Sequence, residues 1–324
     1  MKAIVTGAAG FIGFHVARHL AAEGFDVLGI DNLNDYYPVA LKESRLSALQ
    51  GRPGSRFAKA DIADPAELAA AVAGDLDADV IVHLAAQAGV RYSVENPAAY
   101  VDTNVQGQVT VFEQARGMPK RPPVVYASSS SVYGANRKVP FAESDPVDQP
   151  VSIYAATKRA GELIAHSYGQ VHKVHSTGLR FFTVYGPYGR PDMAPWLFTD
   201  AILRGEPIKV YNHGRMERDF TYIDDIVSGV TGAVNRILAR PDETAPIYNL
   251  GNNKPVPLMR FIDIIEKACG RDAIKQFEPM PPADVERTSA DISLAARDLG
   301  FSPSTALEDG LPLFVDWFRG YNGR

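Results

Sequence analysis

Cysteine is nearly absent from this sequence: Cys269 is the one thiol in 324 residues. An internal disulfide is therefore excluded, which fits a reducing, cytoplasmic setting. The residue lies in the apolar helical pattern FIDIIEKACG and reads as a core thiol. Positive charge is not in excess either. Lys and Arg total 33 against 38 Asp and Glu, a formal net charge of -5. That balance argues against nucleic acid and against an anionic membrane surface as partners. No apolar run reaches membrane-spanning length, so no membrane insertion is expected. The opening MKAIVTGAAGFIGFHVARHL mimics a leader, but His15 and Arg18 interrupt it and it reads as a first βα unit. A metal-ligand pattern is lacking too. His166, His172 and His175 have no usual ligand spacing, and the pair Asp224–Asp225 reads as acids at a helix N-terminus. No metal is expected.

What is present is alternation. Short β-rich runs (KAIVT, DVLGID, SRFAKAD, ADVIVHLAA, PPVVYASS, HSTGLRFF) are separated by helical patterns such as FIGFHVARHLAAEG and SIYAATKRAGELIAHSYGQV. The stretch YVDTNVQGQVTVFEQAR reads as one long helix. Repeated βα units imply an α/β fold, a Rossmann-type doubly wound parallel sheet covered on both faces. Near Thr183 the texture changes to the Pro- and Gly-rich TVYGPYGRPDMAPW, and shorter elements follow. This predicts a smaller, partly discontinuous α/β substrate-binding lobe. Residues 1–182 with about 217–252 are assigned to the cofactor-binding domain, and about 183–216 with 253–324 to the smaller lobe. IYNLG is expected to return a strand to the main sheet.

The turn TGAAGFIG places Gly7, Gly10 and Gly13 between the first strand and the first helix. Glycines there allow a tight turn and close approach of backbone to a pyrophosphate, which the helix N-terminus then meets with free N–H groups. Asp31 ends the second strand, where a carboxylate accepts hydrogen bonds from an adenosine ribose and repels a 2′-phosphate. NAD is therefore expected rather than NADP. Asp61, after the third strand, is placed for the adenine edge, and the small Ala85 and Ala86, after the fourth, leave room for the dinucleotide. Phe11, Ile12, Asn32, Ile62 and Leu84 in the same strings complete the candidate cofactor-binding set.

Four serines, Ser128 to Ser131, end the fifth strand on the same crevice edge. Downstream, Tyr154 and Lys158 lie four apart in a helical pattern and share a face. Bringing a tyrosine from a pKa near ~10 to neutrality takes about 4 kcal/mol. One cation at ~5 Å in an effective dielectric of ~20 supplies about 3 kcal/mol. Lys158 and a cofactor cation together are expected to poise Tyr154 as a base, against the desolvation of its phenolate. A neighbouring serine hydroxyl then holds a substrate oxygen and shares the proton.

With these residues the chain resembles the extended short-chain dehydrogenase/reductases that modify nucleotide sugars, over essentially its whole length. The glycine turn, the Tyr154-x-x-x-Lys158 pair and RDFTYIDDIV carry the resemblance. The strings DNLNDYY, HLAAQAGVRYS, LRFFTVYGPYGRPDM and YNLGNN look like those of the UDP-glucuronate 4-epimerases within it. The resemblance implies Tyr154 as base, Lys158 on the nicotinamide ribose and Ser129 as the catalytic hydroxyl. It also implies Ser129, Ser130, Ser131, Thr183, Arg190 and Arg218 as substrate-binding residues of a UDP-sugar site, with Arg218 on the diphosphate. Thr183 stands where UDP-galactose 4-epimerases usually have asparagine, which fits a carboxylate at C6, and Arg190 offers a fork that matches it.

The implied reaction is redox-neutral epimerisation at C4 through a 4-keto sugar. Dehydratases of the family carry an Asp-Glu pair after the catalytic hydroxyl, and UDP-glucuronate decarboxylases usually a glutamate at the second position. Ser130 and Ser131 occupy those places here. UDP-glucose/galactose epimerisation is the nearest alternative, with UDP-glucuronate decarboxylation behind it. A catalytically dead NAD-binding sensor would be expected to lack the tyrosine or the lysine. The long helices around Val101–Arg116 and Ile153–Val171 exceed what one sheet covers, and in the resembling family such helices form a homodimer interface.

Overall fold

The computed structural model describes residues 1–240, 246–281 and 285–323. From the N-terminus run β1 (Lys2–Thr6), α1 (Phe11–Ala22), β2 (Asp26–Asp31), α2 (Val39–Leu49), β3 (Ser55–Lys59), α3 (Pro65–Val72) and β4 (Val80–His83). Then come α4 (Tyr92–Glu95), α5 (Pro97–Val101), a π-helical segment (Asp102–Gln106), α6 (Gly107–Gly117), β5 (Val124–Ser129), α7 (Ile153–His172) and β6 (Ser176–Phe181). The smaller part holds β7 (Thr183–Tyr185), α8 (Ala194–Arg204), β8 (Pro207–Tyr211), β9 (Glu217–Arg218) and β10 (Phe220–Tyr222). The chain then returns through α9 (Ile223–Ala239) and β11 (Tyr248–Leu250), and finishes with β12 (Val256–Pro257), α10 (Leu258–Cys269), β13 (Ile274–Glu278), α11 (Ser293–Leu299) and α12 (Leu307–Asn322).

Seven parallel strands form the main sheet in the order β11-β6-β5-β4-β1-β2-β3. This is the Rossmann order with one further strand. IYNLG does supply that strand, pairing Tyr248 with Leu179 and Leu250 with Phe181. The reversal of strand order falls between β1 and β4, so a crevice opens at their carboxyl ends. Both faces are buried, and the pleat sends successive side chains to opposite cores. Val5, Val82 and Val125 enter the core with α1 and α9, whereas Ile4, Ile81 and Val124 enter the core with α6. Cys269 lies buried at the end of α10. Three small two-stranded sheets, β7 with β10, β8 with β13 and β9 with β12, build the region beside the crevice.

The segment expected to be one long helix is helical throughout, with a π-helical turn at Asp102–Gln106 inserted between α5 and α6. Its wider turn directs Asn104 inward, where the amide donates to Gln87 O (3.0 Å) and Thr157 Oγ1 (3.1 Å) and accepts from Gln87 N (2.8 Å). Periodicity alone does not reveal such an insertion, because the apolar spacing on either side remains helical.

Helix α7 starts on Ser152, whose hydroxyl caps Ala155 N at 3.1 Å. Its inner face carries Tyr154, Lys158 and Glu162 at four-residue steps. Glu162 anchors that face. Its carboxylate receives both arms of Arg180 on β6 (Nε 2.8 Å, Nη2 2.9 Å), Ser128 Oγ (2.7 Å) and Arg159 Nη1 (3.0 Å). Glu162 and Arg180 are each 2% exposed. Burial disfavours the carboxylate, but Arg180, Ser128 and Arg159 together outweigh it and hold its pKa below the ordinary glutamate value. Arg180 also donates to Tyr133 OH (3.0 Å), which donates to Asn249 Oδ1 (2.7 Å) on β11. Glu162→Gln strands a buried guanidinium and is expected to cost about 3–5 kcal/mol in denaturant unfolding. Adding Arg180→Met should cost less than the sum of the two single changes; strictly additive losses would show that the two do not act as a unit.

Candidate active site

The crevice is a cavity of about 720 Å³. Gly7, Gly10, Phe11, Ile12, Gly13, Asp31, Asn32, Ile62, Leu84, Ala85 and Ala86 line one part of it. Ser129, Ser130, Ser131, Tyr154, Lys158, Thr183 and Arg190 line the rest. The structure thus gathers these sequence-predicted residues from seven separate segments into one space. Asp61 and Arg218 stand outside the wall. Asp61 accepts from Asn32 Nδ2 (3.0 Å) and Ala63 N (2.8 Å), so its carboxylate orders the loop behind Asn32. Arg218 donates to the carbonyls of Glu217 (3.0 Å) and Glu286 (3.1 Å).

At the cofactor end, Gly7 has φ +75°, and a Cβ there would lie 2.7 Å from Ala85 N. At Gly13 a Cβ would run into the Gly7 carbonyl. The turn therefore tolerates no side chain at either position, and backbone alone faces the cavity. Helix α1 has no side-chain cap at Gly10, unlike α3, where Asp64 caps Ala66 N and Glu67 N. Its first N–H groups remain available to an anion. Asp31 is fixed by Ala9 N (3.2 Å) and Leu33 N (2.9 Å), with Lys42 Nζ at 3.9 Å. Uncapped helix, bare turn and fixed carboxylate fit a dinucleotide such as NAD. Below the turn, His83 Nδ1 pairs with Thr6 Oγ1 at 2.8 Å, and burial foremost pushes its pKa down to about 3.

At the chemical end, Ser129 terminates β5. Its Oγ accepts from Ser131 N (3.1 Å), lies 3.2 Å from Ser131 Oγ, and acts on the Tyr154 phenol. Burial pushes the phenol pKa up; the Ser129 hydrogen bond and the charge of Arg190 oppose that rise, and Asp192 adds to it. Arg190 is the cation that favours the phenolate here. Lys158 Nζ is turned to the Ala127 carbonyl (3.1 Å), and burial lowers its pKa from 10.5 to about 8.

At the far end, Thr183 opens β7, held by Asp219 O through its backbone N–H at 3.2 Å. Arg190 is not an unengaged counter-charge. Its Nε and Nη2 grip Asp192 (2.9 and 2.6 Å), and Tyr36 OH donates to the same carboxylate at 3.1 Å. The bidentate grip occupies one edge of the guanidinium and leaves Nη1 outside the pair. Across the cavity, Arg91 stacks over the Tyr211 ring at 4.6 Å, next to Lys209. Asp192, Tyr36, Asn104 and Lys209 were not singled out from the sequence. The short separation of Arg190 and Asp192 in RPDM is the one signal that pointed to any of them.

The pattern of the family described as "NAD dependent epimerase/dehydratase family" matches residues 3–251. A probable UDP-glucuronate 4-epimerase of Rhizobium meliloti is 47% identical over 333 residues, covering 98% of this chain and 97% of the relative. The crystal structure of UDP-glucuronic acid 4-epimerase from Bacillus cereus, in complex with UDP-glucuronic acid and NAD, superposes with a TM-score of 0.88 at 32% identity, covering 99% and 100% of the two chains. A Thermotoga maritima UDP-glucose 4-epimerase with UDP-glucose superposes at 0.87 with 28% identity, covering 99% and 100%. Fold alone does not separate the two sugars. The residues at the sugar end must.

Lys158 gives the ligand-free protein a pH signature. Between about pH 8 and 10.5 the unfolded chain holds a proton on this lysine that the native state has lost. Native stability therefore rises with pH across that window. Measured by denaturant unfolding, the stability of the protein relative to Lys158→Met should grow by at most about 3 kcal/mol from pH 7.5 to 10.5. A difference that stays flat would show that the ammonium is not desolvated.

Proposed function

The chain belongs to the NAD dependent epimerase/dehydratase family, and from that premise we propose that it epimerises C4 of a UDP-hexuronic acid, interconverting UDP-glucuronate and UDP-galacturonate. The observation that carries the choice of sugar is Arg190: a fixed guanidinium in the cavity wall, close enough to act on the Tyr154 phenol. A neutral hexose offers the guanidinium hydroxyl acceptors alone, whereas a C6 carboxylate also offers a charge for its remaining N–H groups beside the Asp192 pair. The full-length likeness to UDP-glucuronate 4-epimerases supports the same choice.

NAD supplies the acceptor that takes a hydride from C4 and later returns it to the opposite face. The protein's residues do the rest. Tyr154 accepts the 4-OH proton and gives it back to the 4-keto sugar, with Ser129 holding the substrate oxygen and sharing that proton. Burial favours the protonated phenol, so its activation draws on the positive charge of the oxidised cofactor and on Lys158 turning from Ala127 towards the ribose. Ser130 and Ser131 offer further hydroxyls to the sugar. Thr183 and Arg190 hold the carboxylate. Arg218 takes the diphosphate once its side chain leaves the carbonyls of Glu217 and Glu286. Asp61 acts on the adenine end through Asn32.

The 4-keto uronate is a β-keto acid. If its C5–C6 bond aligns with the carbonyl π system, CO₂ leaves, the electron pair passes into the C4 enolate and C5 is then protonated. Holding the carboxylate in the plane where that overlap is poor keeps the reaction an epimerisation.

Residues 1–182 with about 217–252 serve the cofactor in this reading, and about 183–216 with 253–324 the nucleotide sugar; positions 241–245, 282–284 and 324 lie outside the described residues. A homodimer fits the exposed apolar side chains Val101, Leu163 and Val171 on α5 and α7. Among the described residues no helix is long and apolar enough to cross a membrane, and a cytoplasmic site is in keeping with that.

Incubation with UDP-glucuronate and NAD, with products resolved by chromatography, should yield UDP-galacturonate up to an equilibrium mixture. UDP-xylose or an accumulating keto sugar would replace this reading with decarboxylation, and turnover of UDP-galactose alone would replace it with the neutral-sugar reaction. Tyr154→Phe should lower kcat by about 10²–10⁴-fold with NAD still bound.

A further inference from the structure

Arg45, on α2, is 0% exposed. A guanidinium at that depth normally meets a carboxylate. Here its four hydrogen bonds end on neutral oxygens. Nη1 donates to the Ala9 carbonyl (2.8 Å) and to Tyr37 OH (2.7 Å); Nη2 and Nε both donate to the Tyr188 carbonyl (2.7 and 3.2 Å). Ala9 belongs to the glycine turn of the cofactor end. Tyr188 stands two residues before Arg190, and its backbone is left-handed (φ +61°), a conformation that a bulky residue keeps only under outside constraint. Next to it, the Pro187 carbonyl lies 3.0 Å from Nε2 of the buried His15 on α1. Two side chains of the cofactor half therefore grip consecutive carbonyls of the loop that delivers Arg190.

The circuit closes on the other side. Tyr36 and Tyr37 are neighbours in the loop after β2. Tyr37 accepts from Arg45, while Tyr36 donates to Asp192, the partner of Arg190. From both directions the reach of Arg190 is set by residues that also shape the dinucleotide seat.

We propose that Arg45 is a positioning residue: by tying the Tyr188 carbonyl to the Ala9 turn, it fixes where Arg190 presents its guanidinium to the substrate carboxylate, and it couples that placement to the cofactor seat. The proposal rests on the uronate reading above. It gives a role to a buried charge that packing alone does not call for. It also separates Arg45 from the chemistry, because Arg45 touches neither the reacting carbon nor the proton path.

The test compares the full-length protein with Arg45→Met and Arg45→Lys. Calorimetric titration should show UDP-glucuronate binding about 10-fold weaker in Arg45→Met, while UDP, which lacks the carboxylate, changes by less than about 2-fold. During turnover, Arg45→Met should release a decarboxylated UDP-pentose that the parent protein does not, because the carboxylate is no longer held in plane. Arg45→Lys should recover part of both effects. In an Arg190→Ala background Arg45→Met should add little to either, since it acts through Arg190. Equal weakening for UDP and UDP-glucuronate, or a loss of kcat with no pentose, would reduce Arg45 to a structural role and overturn the proposal with the uronate reading intact. If Arg45→Met does not fold, Arg45→Lys decides by the same two readouts, and unchanged values overturn it. A parent protein inert towards UDP-glucuronate removes the uronate reading, and this proposal with it.

Discussion

The bidentate pairing of Glu162 with Arg180 is the contact on which the placement of the chemistry depends. Each charge alone would be costly at that depth, and only the closed fork makes both tolerable. The pair therefore fixes how far α7 can slide along β6. Tyr154 and Lys158 lie on the same helical face, two turns and one turn before Glu162, so their height above the end of β5 is set by the same contact. Ser128 adds the third strut from β5 itself. The strand pleat then separates neighbouring hydroxyls. Ser128 is committed to the carboxylate behind the sheet, and Ser129 meets the phenol in the crevice. In a run of serines, one hydroxyl is thus tied to Glu162 and the next is left at the cavity wall.

A second constraint joins the two ends of the crevice. The cofactor turn and the loop of Arg190 come from distant parts of the chain, yet Arg45 and His15 fasten one to the other through carbonyl oxygens. Backbone acceptors suit this purpose. A carbonyl fixes the path of the chain without competing for the charge on Arg190, which Asp192 already shares. The dinucleotide seat and the sugar end thus behave as parts of one frame.

Much of this frame is legible in the amino-acid sequence, and the reasons are local. Gly7, Gly10 and Gly13 are readable because a turn that tolerates no Cβ leaves its mark in residue type. Tyr154 and Lys158 are readable because helical spacing places them on one face whatever surrounds the helix. The seven-stranded sheet follows from βα alternation, down to the late strand IYNLG. What was not legible depends on contacts distant in sequence. The π-helical turn leaves the apolar spacing intact on both sides. The strand-end and motif positions of Asp61 and Arg218 are readable, but not the partners of their side chains, Asn32 for one and the carbonyls of Glu217 and Glu286 for the other. Arg45 sits in LKESRLSAL as an ordinary polar residue of an amphipathic helix, and nothing in that string announces a buried clamp. Four-residue spacing likewise gives the shared face of Tyr154 and Lys158 but not the direction of the ammonium, which turns to Ala127.

The seventh strand of the main sheet, β11, is made after β7, α8, β8, β9 and β10. Until residues 248–250 leave the ribosome, β6 has one open edge, with backbone donors and acceptors turned outward. Tyr133 likewise has no Asn249 to receive its hydroxyl proton. Assembly of the main sheet is therefore not vectorial: it must wait for a segment encoded downstream of β7 to β10. A truncated translation product ending within those loops would carry a sticky sheet margin, a substrate for chaperones and proteases rather than a free-standing cofactor module.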